Sequence, residues 1–203
     1  TENPESLKAI NRRNVTDEEI DDAIKWATKL NMPTTTELIF GLPYETKSGF
    51  VDLLNKSIDR GFDTILAHAL FIMDGIELNR PDQREKYKFN TKVRPLSSSY
   101  GYVNDEFVAE HEEVVTSSKT FSEDDFIEIR KMCFMFFSAF TVGLQKWFFQ
   151  FVKNYDKDLK LTDIFHNFMH PNREQEWPKE YLDFLDDFDK AIKYFEVSLS
   201  YAQ

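Results

Sequence analysis

Two short apolar runs hold residues whose types and spacing could do chemistry: Glu37-Leu-Ile39-Phe-Gly41-Leu42-Pro43 and Asp63-Thr-Ile-Leu-Ala67-His68-Ala-Leu70. Strand alternation puts Thr35, Glu37, Ile39 and Gly41 on one face and Thr36, Leu38 and Phe40 on the other. The Leu38/Phe40 face suits packing under helices, which leaves the Glu37 face to point into an interior. A carboxylate there needs a partner if it is buried, and only water if that interior is incomplete. Gly41 removes the side chain at the carboxyl end of the strand, where ligands bind in parallel α/β structures. Pro43 stiffens the turn, and the free N–H groups of a helix capped by Thr46 lie close by. The same Gly41-Leu42-Pro43 is equally a plain strand-ending turn. His68, in an apolar run, reads as a hydrogen-bonded core residue before it reads as a ligand.

Other chemistry-bearing residues are weaker. His166 and His170 stand four apart, which on a helix is the spacing of a metal-binding pair, but Pro171 follows and the sequence offers no obvious third ligand. Asp183, Asp186, Asp187 and Asp189 lack the glycine and alternating oxygens of a calcium loop and read as a solvated helix face. His111, between two glutamates, reads as a solvated strand face. Cys133 is the single cysteine, so no intrachain disulfide and no cysteine-based metal site is expected, and a reduced, cytoplasmic setting fits. The formal net charge of −11 argues against partnership with nucleic acid or a membrane surface, and Arg12-Arg13 is too small a patch to reverse that. The first residues show no signal-peptide pattern and no initiating methionine, so the chain is expected to begin inside a longer protein.

Residues 3–60 read as helix, helix, strand, helix. Asn3 caps a first helix with Pro4 at its first position, and Thr16 with Glu19 forms a capping box for a second. The second helix carries its apolar residues at Ile20, Ala23, Ile24, Ala27 and Leu30, and Asn31 and Pro33 stop it. A strand follows over 34–40, then a Thr46-capped helix with Phe50, Leu53, Leu54 and Ile58 inward, ended by Gly61. Residues 63–71 are a second strand, apolar enough to be covered on both faces. Strand, helix and strand in this order form a parallel βαβ unit.

Residues 81–121 read as a connecting segment whose best strand candidate is Glu112 to Ser117. Residues 122–203 read as helical. Ser122 with Asp125 starts a long helix, and the stretch from Met132 to Val152, rich in phenylalanine, approaches membrane-span length. Gln145, Lys146 and Gln150 interrupt it, so a buried helix is expected. Phe134, Phe136, Phe137 and Phe140 are either core or a surface that met another segment. Pro178 opens a last helix with Tyr181, Leu182, Leu185, Phe188, Ile192 and Phe195 on one face.

Three pieces in fixed order carry a family resemblance: Asn3-Pro-Glu-Ser-Leu-Lys-Ala-Ile-Asn-Arg12, Glu37-Leu-Ile-Phe-Gly-Leu-Pro-Tyr-Glu-Thr46, and Asp63 to Leu70 leading to Asp74-Gly75. Together they resemble the back half of the radical S-adenosylmethionine (radical SAM) partial barrel, with its NPEVLKAIxR-like helix, DLIxGLPGET-like fifth strand and sixth strand running to a PGT-like turn. The resemblance covers residues 1–80 and implies an incomplete parallel (βα) barrel fragment, followed by a mainly α-helical C-terminal region. It implies that Glu37, Ile39, Gly41 and Leu42, with Ala67 and His68, border the adenine of S-adenosylmethionine. The sequence departs from the pattern at Tyr44, where the family usually has glycine, and at Asp74-Gly75-Ile76, which lacks proline and threonine. The CxxxCxxC loop for the [4Fe–4S] cluster would lie upstream of Thr1, so the chain would not be catalytic alone. The segments from Tyr87 onward resemble tails of cobalamin-binding radical SAM proteins, which cap the barrel mouth on the substrate side. The implied partner is the missing N-terminal half, and open strand edges imply self-association. The alternative is a stand-alone α/β interaction or assembly domain in which the βαβ unit is only scaffold.

Overall fold

A computed structural model describes residues 1–143 and 145–197, with the side chains of 97, 98 and 193–197 left aside; the expectation for Phe195 lies outside the described residues. Its first half follows the caps. Helix α1 (Pro4–Ala9) begins at Asn3, and α2 (Asp17–Lys29) begins at the Thr16–Glu19 capping box. Strand β1 (Thr35–Phe40), helix α3 (Lys47–Asp59, capped by Thr46) and strand β2 (Thr64–Ala69) complete a βαβ unit whose strands pair in parallel, Thr35 opposite Thr64 through Phe40 opposite Ala69. Asp63 anchors the start of this pair by accepting from the Thr34 N–H at 2.9 Å.

The segment over 73–120 differs from expectation. After β3 (Phe71–Ile72) and the short helix α4 (Pro81–Tyr87) come two long antiparallel strands, β4 (Asn90–Val103) and β5 (Glu106–Ser117), in the order β3-β5-β4. The expected strand at Glu112–Ser117 is the inner end of β5. Its outer half and all of β4 were hidden by Pro95, Gly101 and the serines between them. Four residues, 96–99, bulge opposite Glu110 alone, and that irregularity absorbs the proline and serine run. The hairpin turns at Asn104-Asp105, both at positive φ (50° and 67°), which is the two-residue geometry that matches strand twist. Leu70 joins the two sheets: its N–H donates to Phe40 O and its carbonyl accepts from Val115 N–H, both at 2.9 Å.

The remaining helices are α5 (Glu123–Phe136), α6 (Lys146–Tyr155), α7 (Leu161–Met169) and α8 (Lys179–Val197). The long helix expected from Ser122 stops early. A π-helical turn over Phe137–Thr141 leads to Gly143 at φ 85°, and α6 starts afresh. Among the described residues no single helix is long and apolar enough to cross a membrane. The phenylalanine cluster divides: Phe136 and Phe140 are buried and stacked at 5.2 Å, whereas Phe134 and Phe137 are exposed.

The main core lies between the Leu38/Phe40 side of the parallel pair, α3, α5 and α7, with Phe50, Phe126, Ile129 and Phe165 fully buried. The chain is thus a mixed α/β fold with a two-stranded parallel sheet and a three-stranded antiparallel one. Two parallel strands do not by themselves make a barrel. Nor is β2 covered on both faces, since Ile65 is buried while His68 is exposed. The apolar stripe of α2 is only partly covered: Ile20, Ile24 and Ala27 are half-buried, Ala23 and Leu30 are exposed, and no α2 residue is fully buried. Charge holds α2 as well: Lys56 Nζ lies 2.9 Å from Asp17, and Arg60 contacts Asp17 and Asp21.

One polar contact crosses the core. Asn55 Nδ2 donates to Thr162 Oγ1 at 2.7 Å, tying α3 to α7 with both side chains buried. Thr162→Val keeps the shape but strands the amide, and is expected to cost about 1–3 kcal/mol in urea unfolding, with the double change Asn55→Leu/Thr162→Val recovering part of that loss. Equal stability of wild type and Thr162→Val would show that the bond contributes nothing.

Candidate functional site

The turn after β1 needs two left-handed residues, Gly41 at φ 86° and Tyr44 at φ 62°. Glycine meets the first demand without strain, and its missing side chain also keeps the junction tight: a Cβ at Gly41 would sit 3.7 Å from Val115 O and 3.9 Å from Leu70 Cβ. Tyr44 meets the second demand at a conformational cost, and explains physically why glycine suits that position. Its ring packs edge-on against Tyr87, centroids 5.6 Å apart.

Three outside groups hold the turn. Asn3 caps α1 through Oδ1 and donates from Nδ2 to Tyr44 O at 3.0 Å. Ser6, fully buried, donates its hydroxyl to Pro43 O. Thr120, just before α5, donates to Glu45 O at 2.8 Å. Leu42 and Pro43 are buried within this clamp.

The buried carboxylate of the region is Glu45, 2% exposed, and not Glu37. Desolvation raises its pKa above the ordinary 4.5; the amino terminus, the Thr1 side chain and the N–H groups of Leu42 and Gly41 oppose that rise. Its Oε2 has no hydrogen-bond partner among the described residues. Sequence reasoning passed over Glu45 because it looked like an ordinary acid before a helix cap. The signal was its place directly after the Pro43-Tyr44 turn, which the chain folds inward.

The six residues expected to border a nucleoside divide between two sides of the sheet. Glu37, Ile39 and His68 lie together on the uncovered face, Ile39 opposite His68 in the register and 41% exposed. Gly41, expected to continue that face, is instead buried, its missing side chain facing Val115 and Leu70. Ala67 pairs with Leu38 and packs toward the core, and the Leu42 side chain is buried in a second cluster with Leu70, Ile72 and Val115. Ala67 and Leu42 therefore offer backbone, not side chain, to anything on the open face. His68 is not the core residue its apolar neighbours implied. A cavity of about 230 Å³ lies against Ala67, Phe126 and Cys133. That is below the few hundred Å³ of a typical organic-ligand pocket.

Elsewhere, His166 and His170 do share one face of α7, ring centroids 4.6 Å apart. The structure adds what the sequence did not show: Glu128 of α5, whose Oε2 lies 2.6 Å from His170 Nε2. The Asp183–Asp189 series is largely a solvated face, with Asp189 paired to Lys131 at 2.8 Å. Cys133 is half-buried among apolar neighbours, which push its thiol up to about 12. Such a thiol is a poor ligand for an iron–sulfur cluster.

No protein-family model matches this sequence. Over 124 residues, 60% of the chain, it is 30% identical to the cobalamin-dependent radical SAM methyltransferase TokK of Streptomyces tokunonensis. The matched stretch is 18% of that protein, so the chain corresponds to a small part of its relative. The similarity points to the radical SAM superfamily.

The pH dependence of Glu45 follows from its raised pKa. The protonated form is favoured in the folded state, so its stabilising contribution is complete below about 4.5 and is lost as pH rises through the folded value. Glu45→Gln is expected to flatten that loss, read as Tm against pH from 4 to 8. A variant with an unchanged slope would exclude Glu45 as its source.

Proposed function

We propose that this chain is the C-terminal part of a radical SAM enzyme, in which the open face of β1 and β2 borders the adenine of S-adenosylmethionine. One observation carries the reading. The parallel pair has one dry face and one uncovered face, and the uncovered face runs through Glu37, Ile39 and His68 toward the carboxyl end of the strands, just short of the buried Gly41 turn. That is where parallel α/β folds bind ligands. The similarity to TokK supports the same superfamily independently.

The residues fit part of the implied group. Ile39 supplies an apolar surface for a flat base and His68 brings a ring to the same face, whereas Gly41 is buried and its missing side chain serves the junction with Val115 and Leu70. With its cluster, S-adenosylmethionine supplies reductive cleavage and hydrogen abstraction from a substrate. The residues here do not fit the cluster, because the single thiol is half-buried and held protonated. This chain's own part is to position the nucleoside; the substrate-side cap expected of the helical tail does not extend to α5 and α7, which pack on the dry Leu38/Phe40 side of the sheet. Cobalamin, named for the relative, is a proposed cofactor of the parent, and no residue of this chain is assigned to it. The open sheet face is the proposed contact of an N-terminal half.

A second reading has its own support. Trp147, Phe148, Phe151 and Tyr155 of α6 are all well exposed, with Trp147 81% and Tyr155 89% accessible, which is unusual for a surface with no partner. On that reading the chain is an interaction or assembly domain.

Two outcomes are expected. With millimolar S-adenosylmethionine, far above any tight Kd, NMR signals of Ile39, Gly41 and His68 shift in fast exchange and those of α6 do not, and Gly41→Val abolishes the shifts. Shifts confined to other regions, or saturation at micromolar ligand, would contradict the assignment. The uncovered face and strand edges also predict self-association, so light scattering at ~100 μM should give a mass above one chain. A clean monomer there would remove that expectation.

A further inference from the structure

We infer that Glu128, His166 and His170 form a binding site for a divalent transition-metal ion of the zinc type, bridging α5 and α7. The inference is independent of the radical SAM reading, since that reading rests on the open face of β1 and β2 and these residues lie on α5 and at the C-terminal end of α7.

The donor set is two imidazoles and one carboxylate, a combination suited to Zn²⁺, Co²⁺ or Ni²⁺ rather than to calcium or magnesium. One ligand atom from each residue lies within 4.8 Å of the others. Tetrahedral zinc with bonds of about 2.0–2.1 Å needs donor atoms about 3.3 Å apart. The observed spread brackets that value. The His170–Glu128 pair, in hydrogen-bond contact at 2.6 Å, has to open slightly, and the widest separation, within 4.8 Å, has to close by at most about 1.5 Å. Side-chain rotation covers both changes without moving either helix.

The backbones beneath are already fixed. Glu128 adjoins Ile129 and His166 adjoins Phe165, both fully buried in the main core, and Phe136 of α5 meets Phe165 of α7 with centroids 6.1 Å apart. The core thus presents Glu128 and His166 from a rigid base, and His170, the C-cap of α7, directly follows the buried Met169. Both histidines are exposed, so an ion can enter and keep water in its fourth position. Lys131 lies 3.6 Å from Glu128 but is closer to Asp189, at 2.8 Å, which offsets its charge. Without metal, the His170–Glu128 hydrogen bond holds the two groups together. With metal, the ion replaces that bond and links the helices as a staple.

The test uses the full chain without a histidine tag, titrated with Zn²⁺ in a non-chelating buffer. One ion per chain is expected, and Zn²⁺ at about a hundredfold over its Kd should raise Tm by about 5–10 °C. Co²⁺ should give the strong visible absorption of a four-coordinate site. The double change His166→Ala/His170→Ala should abolish both signals while leaving the EDTA-treated Tm within about 2 °C, as for exposed positions. Glu128→Gln, which keeps the shape, should weaken binding about tenfold or more. Absence of saturable binding below ~100 μM Zn²⁺ would overturn the site. Binding that survives in the histidine double variant, at His68, His111 or surface carboxylates, would overturn it as well.

Discussion

The turn from Gly41 to Thr46 constrains most of what surrounds it. It holds two residues at positive φ, one of them a tyrosine, and such a conformation persists only when its surroundings over-determine it. Here Asn3 and Ser6 reach it from α1 and Thr120 from the segment before α5, so residues far apart in the sequence converge on this six-residue turn. The same turn sets the side on which Leu42 is buried. It also places Gly41 against Val115 and Leu70, where the parallel pair is joined to the antiparallel sheet. If that turn were loose, the two sheets would have no fixed relation at their junction.

The consequence is an asymmetric sheet. One side of β1 and β2 is dry and packed with aromatic rings, and hydrophobic burial there supplies most of the stability. The other side is uncovered, and α2, which lies beside α3, is held largely by ion pairs of Lys56 and Arg60. Exposed ion pairs contribute little each, so α2 is the least firmly held of the longer helices in the first half. A dry face and a wet face on one strand pair is what a segment built to meet further chain, or a ligand, requires. That physical argument supports the proposed function without depending on the relative.

The first sixty residues were legible because local signals and tertiary packing agree there. Asn3, Thr16 and Thr46 cap where their side chains can, and Phe50, Leu53, Leu54 and Ile58 recur at helical spacing. The hairpin was not legible: Pro95 and Gly101 read as strand breakers, and only the bulge opposite Glu110 shows how the strand survives them. Its Asn104-Asp105 turn lacks the glycine that makes such turns conspicuous. The helix from Ser122 was read too long because phenylalanine density carries no punctuation, and Gly143 alone marks the break. At the site, alternation correctly grouped Glu37 with Ile39, but Ala67 and Leu42 depended on which side of the sheet was covered. Glu45 and Glu128 were missed for the same reason, since burial and long-range approach are tertiary facts with no local period.

The clamp on the turn is open to direct measurement by amide hydrogen exchange. In the wild-type chain the amides of the clamped turn, from Gly41 to Thr46, should exchange slowly for a loop. Ser6→Ala strands the buried Pro43 carbonyl, a loss of about 1–3 kcal/mol, and should speed those amides about tenfold or more while the α5 amides near Ile129 keep their protection. Fast exchange of the turn in the wild type, or a Ser6→Ala pattern no different from it, would contradict the claim that this turn organises the structure.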